Sequence, residues 1–238
     1  MPVYEMVFLL LFLSASRFLY LALTFTFSED SLAYMVDWDA KYNAVDTLLY
    51  GDKPSDIIHK ASSEYGNRLG NILFLGDGEG RQSRALAKLG FTVTTMDISS
   101  VATKRAHQRD EEHGIQVNRL ICDAAKPPPL QSEFNSCFMC YLHFSVVERQ
   151  SCFRWLKQIL PTSGLLFIEG FGPKQAAYKS KYNSGGPSQK ELLYNTKILR
   201  NELSGFIIHH DICAEAALND GPGHQGLANI TQMVLEKS

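Results

Sequence analysis

The chain has 238 residues, with 25 acidic and 23 basic side chains and a formal net charge of −2. This length suits one α/β domain with extensions. The balanced charge, without a dense Lys/Arg run, argues against a nucleic-acid partner and favours a small-molecule partner. Five cysteines, an odd number lying mostly in apolar runs, favour a reducing, cytoplasmic setting over a disulfide framework.

The first predicted element is an apolar segment at residues 7–27, which is long enough to span a bilayer. Its thirteen Leu, Phe and Val residues favour insertion by roughly 4–8 kcal/mol, against about 2.5–3.5 kcal/mol for Arg17. The flanks set no orientation, so three interpretations stay open: a membrane anchor, a removed targeting segment, or a non-native extension before Met35. We therefore separate residues 1–34, with membrane association through residues 7–27 as one interpretation, from a domain at residues 35–238.

The remaining chain alternates predicted strands and helices. Strands are expected at residues 71–76, 92–97, 117–122, 136–142 and 164–170, and helices at 55–65, 81–89, 101–113, 146–160 and 191–203. Residues 172–189 are too long for a simple connection and predict a functional loop or lid. Residues 206–216 and 227–236 predict a terminal antiparallel hairpin. The pattern indicates an α/β fold with a doubly wound, mostly parallel sheet.

A glycine-rich turn follows the first strand of this sheet, with Gly76, Gly78 and Gly80 spaced as Gly-x-Gly-x-Gly. A dinucleotide fingerprint needs Gly-x-Gly-x-x-Gly, and Arg81 occupies the position of its third glycine. The spacing therefore disfavours an NAD-dependent oxidoreductase. Together with Asp97 at the end of the next strand, it is similar to the turn of class I S-adenosylmethionine-dependent methyltransferases.

Five residues fall at or just after the carboxyl ends of the predicted parallel strands: Gly76, Asp97, Asp123, His143 and Glu169. Ligands of open parallel sheets bind beyond these strand ends. We therefore expect one cleft there. The glycines would let the backbone approach a cofactor, and the following helix N-terminus would face its carboxylate. Asp97 would accept hydrogen bonds from ribose hydroxyls, or else cap a helix.

The other strand-end residues each have two interpretations. Asp123 and Ala124 are placed to bind an adenine, or to form an Asx turn before the prolines. His143 would orient a substrate or act as a base, or else pack or cap a helix. Glu169, at a buried strand end, must pair with a cation such as Arg81 or face the cleft. Together with His143 it is a catalytic candidate, because an oxygen or nitrogen acceptor would need one of the two as a base.

No metal site is expected. His209, His210 and Asp211 are adjacent, but successive strand residues point to opposite faces. Cys137 and Cys140 lie inside a predicted strand and lack a second pair at zinc spacing, so core packing is the favoured interpretation.

From Trp38 onward the sequence resembles the tellurite-resistance methyltransferase family and related small-molecule class I methyltransferases. The matching segments are Trp38-Asp39-x-x-Tyr42, Tyr50-Gly51-x-x-Pro54, Leu75-Gly76-Asp77-Gly78-Glu79-Gly80-Arg81, Leu86-Ala87-x-x-Gly90, Met96-Asp97-Ile98-Ser99, Asp123, His143, Glu169, Ser184-Gly185-Gly186-Pro187 and His224-Gln225-Gly226.

The resemblance implies a seven-stranded sheet with an antiparallel C-terminal strand and S-adenosyl-L-methionine as cofactor. It implies that Trp38, Tyr42 and Tyr50 fold over the cofactor, and it adds Arg81 and Ile98 to the cofactor-binding residues. Phe74 departs from the family because many class I enzymes carry an acid there, so Asp77 or Glu79 would compensate.

The expected activity is methyl transfer to a small acceptor such as a thiol or a chalcogen oxyanion. The expected state is a monomer or a weak homodimer. The alternative is a methyltransferase-like module that binds the cofactor or a partner without catalysis.

Overall fold

The computed structural model describes residues 6–10, 21–25, 36–129 and 133–238. The chain divides into two units, Met1–Asp37 and Trp38–Ser238. In the first unit, strands β1 (Met6–Leu10) and β2 (Leu21–Phe25) pair antiparallel. The segment at 7–27 is thus strand where it is described, not helix, and its other positions lie outside the described residues. Within the described ranges, no helix is both long and apolar enough to cross a membrane.

The second unit alternates helices and strands. The helices are α1 (Trp38–Asn43), α2 (Asp56–Tyr65), α3 (Arg81–Lys88), α4 (Ser100–Glu112), α5 (Val146–Ile159), α6 (Gln175–Tyr182) and α7 (Thr196–Glu202). The strands are β3 (Ile72–Leu75), β4 (Val93–Asp97), β5 (Asn118–Ile121), β6 (Ser136–Cys140), β7 (Leu165–Phe171), β8 (Phe206–Asn219) and β9 (Gln225–Lys237).

These seven strands form one sheet in the order β5-β4-β3-β6-β7-β9-β8. Strands β3 to β7 are parallel, and β9 runs antiparallel to both β7 and β8. The predicted doubly wound α/β sheet with an antiparallel C-terminal strand is confirmed. The chain order reverses between β3 and β6, so the carboxyl ends of these two strands flank the topological switch point where ligands bind.

The sheet is apolar on both faces because helices cover both. On the face that packs against α2 and α3, Phe74, Phe138 and Phe167 stack across neighbouring strands, with ring centroids 4.7 and 4.4 Å apart. Phe74 therefore packs in the core. An acid at this position, as in many class I enzymes, would be buried without a partner. Cys137 packs into the core of the opposite face, and Cys140 is also a buried free thiol.

Two predicted segments differ from the structure. The segment predicted as a loop at 172–189 contains α6, and the helix predicted at 191–203 begins only at Thr196. The later start has a local cause, because the Asn195 side chain accepts hydrogen bonds from the backbone N–H groups of Lys197 and Ile198. This is a helix N-cap, which fixes the first residue of the helix.

Candidate functional site

The glycine turn, residues 76–80, connects β3 to α3 at the switch point. Gly76, Gly78 and Gly80 have φ angles of +67°, +56° and +81°, a region that side chains rarely adopt. A Cβ atom at Gly80 would lie 2.5 Å from Arg119 Nη2. The turn therefore needs glycine both for its backbone angles and for the close approach of the arginine.

Asp97 at the end of β4 contacts this turn directly. Its Oδ2 accepts a hydrogen bond from the Gly78 N–H at 2.6 Å, and its Oδ1 accepts one from the Ser99 N–H at 2.8 Å. Burial raises the pKa of Asp97 to about 6, against the opposing effect of these two bonds. A carboxylate has about four acceptor positions, so two remain for hydroxyl donors. Ile98, the next residue, is 55% exposed.

A buried network of ion pairs holds the glycine turn through the side chain of Asp77. This network was not predicted from the sequence. Arg119 Nη1 pairs with Asp77 Oδ2 at 2.8 Å, and Arg119 Nε pairs with Asp110 Oδ2 at 2.7 Å. Arg84 pairs with the other oxygen of Asp110 at 3.0 Å. The Asp77 carboxylate also accepts a hydrogen bond from the Ser83 hydroxyl. The side chain of Asp77 is thus engaged inside the protein, although its backbone belongs to the turn.

Glu79 anchors a second segment to the turn. We call residues 38–54 the strap. Glu79 Oε2 accepts a hydrogen bond from the Leu49 N–H at 2.8 Å, and its Oε1 pairs with Arg105 at 3.1 Å. The Leu49 carbonyl accepts a hydrogen bond from the Gly223 N–H at 2.8 Å. The strap is therefore fixed between the glycine turn and the β8–β9 turn.

Two strap aromatics that the sequence analysis assigned to the cofactor lie near the glycine turn. A Cβ atom at Gly78 would be 2.5 Å from the Tyr42 hydroxyl. Tyr42 is buried, and desolvation raises its pKa well above the ordinary value. Trp38 packs against it with ring centroids 6.1 Å apart. The placement of Tyr42 over the turn agrees with a covering role.

Asp123 forms a local turn. Its Oδ1 accepts a hydrogen bond from the Ala125 N–H at 2.8 Å, and its carbonyl accepts one from the Lys126 N–H at 2.9 Å. This is the Asx turn that was the alternative interpretation. Ala124 is buried. An adenine contact for Asp123 and Ala124 stays a prediction.

His143 is satisfied by the backbone on both sides of its ring. Its Nε2 accepts a hydrogen bond from the Phe171 N–H at 3.3 Å, and its Nδ1 lies 2.8 Å from the Leu192 carbonyl oxygen. Burial lowers the pKa of His143 to about 4. A neutral imidazole with Nδ1–H donating fits both contacts. This geometry favours a packing role, and the catalytic assignment stays a prediction.

Glu169 and Arg81 do not form the ion pair that the sequence analysis proposed. Arg81 instead pairs with Asp220 at 3.3 Å and donates to the Lys53 carbonyl at 2.9 Å. Glu169 Oε2 accepts a hydrogen bond from Gln232 Nε2 at 2.6 Å, and burial raises the pKa of Glu169. Gln232 lies opposite Glu169 in the β7–β9 register. The antiparallel pairing of β9 with β7 supplies this partner, and the order of strands along the chain does not predict that pairing.

A comparison with protein families covers the part of the site that contains the glycine turn, Asp97, Asp123 and His143. Residues 72–164 match the model of a methyltransferase domain family. No curated protein sequence matches the chain.

Three solved structures illustrate how widely this fold is shared. One, from work on the conversion of a disulfide bond into a thioacetal group during echinomycin biosynthesis, has a TM-score of 0.70 at 16% identity, covering 84% of this chain and 90% of that one. TehB from Haemophilus influenzae has a TM-score of 0.62 at 15% identity, with coverages of 85% and 66%. Magnesium protoporphyrin IX methyltransferase from Synechocystis PCC 6803, solved with bound SAH, has a TM-score of 0.58 at 19% identity, with coverages of 76% and 80%.

The sheet, the glycine turn and the family match together support a class I S-adenosylmethionine-dependent methyltransferase domain. These features agree with the predicted cofactor, S-adenosyl-L-methionine. The site fits this group, because Asp97 has acceptor positions left beside a turn whose backbone angles favour glycine. Among the solved structures named above, TehB relates to the predicted tellurite-resistance family, and it shares the fold at 15% identity.

Proposed function

We propose that residues 38–238 transfer a methyl group from S-adenosyl-L-methionine to a small-molecule acceptor. The observation that carries this proposal is the contact between Asp97 Oδ2 and the Gly78 N–H at 2.6 Å. It joins the acid at the end of β4 to the glycine turn after β3, at the sheet's switch point. The carboxylate suits a ligand with ribose hydroxyls, and the glycine backbone beside it, which a ligand can approach closely, suits the charged end of the same ligand.

Each part of this site has a distinct task in binding. Asp97 would accept hydrogen bonds from the two ribose hydroxyls, and the N-terminus of α3 would face the methionine carboxylate. Trp38 and Tyr42 of the strap would cover the ligand and exclude water. When bound, S-adenosyl-L-methionine supplies an electrophilic methyl group. The protein's contribution is then to hold donor and acceptor in line.

The proposed acceptor is a soft nucleophile that needs little help from a base, such as a thiolate or a related chalcogen anion. Support comes from His143, one of the two residues predicted as a base, because both of its ring nitrogens are engaged with the backbone. Glu169 Oε2 accepts a hydrogen bond from Gln232, whereas its Oε1 has no hydrogen-bond partner among the described residues, so Glu169 stays the candidate base for any other acceptor. An oxygen or nitrogen acceptor would require a proton acceptor in the cleft, whereas a thiolate has already lost its proton.

Calorimetric titration with S-adenosylhomocysteine tests the cofactor assignment. We expect the full chain to bind S-adenosylhomocysteine and not NAD. Asp97→Ala should weaken binding tenfold or more, because a tenfold loss corresponds to about 1.4 kcal/mol and a hydrogen bond to a charged group contributes about 1.5–3 kcal/mol. Glu112→Ala, which removes one acid from the exposed end of α4, should bind like the parent chain. If the Asp97→Ala and Glu112→Ala variants bind S-adenosylhomocysteine equally tightly, Asp97 does not contact the ribose.

Turnover is tested separately, by measuring S-adenosylhomocysteine formation against small thiols, selenite, tellurite, phenols and amines. Faster turnover of thiols than of phenols and amines would support the proposed acceptor class. Cofactor binding with no turnover of any member would favour the non-catalytic module.

A further inference from the structure

A second cluster of side chains lies at the same edge of the sheet as the glycine turn. His224, in the turn between β8 and β9, packs against Tyr50, Tyr141 and Phe171, with ring centroids 4.4, 4.5 and 5.1 Å away. We call these four residues the His224 cluster. Tyr141 directly follows β6 and Phe171 ends β7. Since β6 is the neighbour of β3, the cluster lies beside the proposed cofactor site, where an acceptor must approach the methyl group.

The cluster contains an unmet hydrogen-bonding position. His224 is 4% exposed, and its Nδ1 has no hydrogen-bond partner among the described residues. Burial is the main reason that the pKa of His224 falls well below the ordinary value, so the ring is neutral at pH 7. Buried polar atoms in native proteins are nearly always paired, and exceptions occur at functional sites. Tyr141 adds backbone strain, with φ at +56°, which is costly for a bulky residue.

A glycine turn of the lid region faces His224. Gln175, fully buried in α6, donates hydrogen bonds to the Ser184 hydroxyl and the Gly185 carbonyl, both at 3.0 Å. A Cβ atom at Gly185 would lie 3.3 Å from His224 Cδ2 and would clash with the Gly223 carbonyl. The two late motifs of the sequence, around Gly185 and around His224, therefore meet at one place.

Two lysines flank this place without an acidic partner. Lys41 Nζ donates to the Tyr50 hydroxyl at 2.9 Å and lies 4.5 Å from the centre of the Trp38 ring. Lys179 Nζ donates to the Gly186 carbonyl at 2.8 Å and to Ser188 Oγ at 3.1 Å. Within residues 36–129 and 133–238, neither lysine forms an ion pair.

The two positive charges act on each other. Desolvation, and after it the charge of Lys179, lowers the pKa of Lys41. Two ammonium groups that repel each other and lack a counter-ion are stabilised when an anion binds between them. The neutral His224 ring adds no third charge and offers Nδ1 as donor or acceptor, depending on its tautomer.

We infer that the His224 cluster, with Lys41 and Lys179, is the subsite for the methyl acceptor, and that this acceptor carries a carboxylate or a comparable anionic group besides its nucleophile. This inference rests on the proposed function. The aromatic rings contact the apolar part of the acceptor, His224 Nδ1 makes one hydrogen bond to it, and the lysines neutralise its anionic end. The acceptor enters between the strap, which carries Lys41 and Tyr50, and the Gly185–Gly186 turn.

The test uses two thiols of equal length, 3-mercaptopropionate and 3-mercaptopropan-1-ol, which differ in the anionic group. Each is titrated calorimetrically into the full chain saturated with S-adenosylhomocysteine. The ¹⁵N signals of the His224 imidazole are followed in parallel. We expect 3-mercaptopropionate to bind at least tenfold more tightly than the alcohol and to shift the His224 signals.

The variants Lys41→Gln and Lys179→Gln should each reduce this preference about threefold or more, and the double variant should abolish it. Lys104→Gln, on the exposed face of α4, is the matched control and should keep the preference. Affinity for S-adenosylhomocysteine should stay unchanged in Lys179→Gln and Lys104→Gln. Equal binding of the two thiols, binding of neither, or a preference that survives the double variant overturns the inference. Failure of the parent chain to bind S-adenosylhomocysteine would instead refute the proposed function.

Discussion

At the residue scale, the charged groups of the site are defined by the contacts of Asp97 and Arg81. The position of Asp97 at a strand end followed from the alternation of apolar runs, and the structure places it on the glycine turn. Arg81 was predicted as a possible partner of Glu169, with Glu169 facing the cleft as the alternative, but the ion-pair partner of Arg81 is Asp220. Asp220 lies in the β8–β9 turn, far along the chain from Arg81. Nothing in the local sequence specifies a contact between residues so distant, because such contacts depend on the packing of the whole domain.

The raised pKa of Asp97 predicts a pH-dependent affinity for the cofactor. In the free protein burial raises this pKa to about 6, whereas hydroxyl donors favour the ionised carboxylate and lower the pKa in the complex. Affinity for S-adenosylhomocysteine should therefore be full above about pH 6 and should fall, by up to tenfold per pH unit, as the pH drops below it. Calorimetric titrations between pH 5 and 8 measure this.

The matched variant Asp97→Asn should bind more weakly and lack the step near pH 6, because the amide does not titrate. An affinity of the parent chain that stays constant from pH 5 to 8 would contradict the ribose contact or the raised pKa.

At the element scale, the glycine turn was recognised from its spacing, but its support was not. The turn is held by Arg119 from β5 and Asp110 from α4 through Asp77. A charged residue inside a short strand is a weak signal, since most such residues face solvent. Only the parallel register of β4 and β5 brings Arg119 beneath the turn.

Removal of Arg119 should destabilise the domain strongly. The side chains of Arg119 and Asp77 are 3% and 1% exposed, and a buried acid left without its partner typically costs about 3–5 kcal/mol. We expect Arg119→Met to lower the free energy of unfolding by about this amount in urea denaturation.

The double variant Arg119→Met, Asp77→Asn should recover part of the loss, because Asp110 keeps its pair with Arg84 and no unpaired carboxylate remains at position 77. Arg154→Met, on an exposed position of α5, serves as the control and should change stability little. A cost below about 1 kcal/mol for the single variant would show that this ion pair does not hold the turn.

At the scale of the whole molecule, the strand order places the site. The five parallel strands and the terminal hairpin were predicted from apolar runs and turn residues. The insertion of β9 between β7 and β8 brings Gln232 to Glu169 and positions the β8–β9 turn, with His224, next to Tyr50. The apolar residues of β9 fit any buried strand position, so their pattern does not choose its neighbours.

The independence of the second unit is also testable. All the site contacts described above are made within Trp38–Ser238, so a chain of residues 35–238 should remain soluble and bind S-adenosylhomocysteine as tightly as the full chain does. Sedimentation and calorimetry compare the two. Insolubility of the shorter chain, or a tenfold loss of affinity, would show that residues 1–34 contribute to the domain.

The sequence by itself determined the α/β class, the order of elements along the chain and the glycine turn with its acid, because these depend on local spacing and on alternating apolar runs. It also indicated the methyl donor, because the turn chemistry is encoded within one βαβ unit. The tertiary structure alone decided which charged groups are engaged beneath the turn, that both nitrogens of His143 are engaged, and that Lys41, Lys179 and His224 converge. Those arrangements join residues distant in sequence, and only the packing of strands and the strap brings them together.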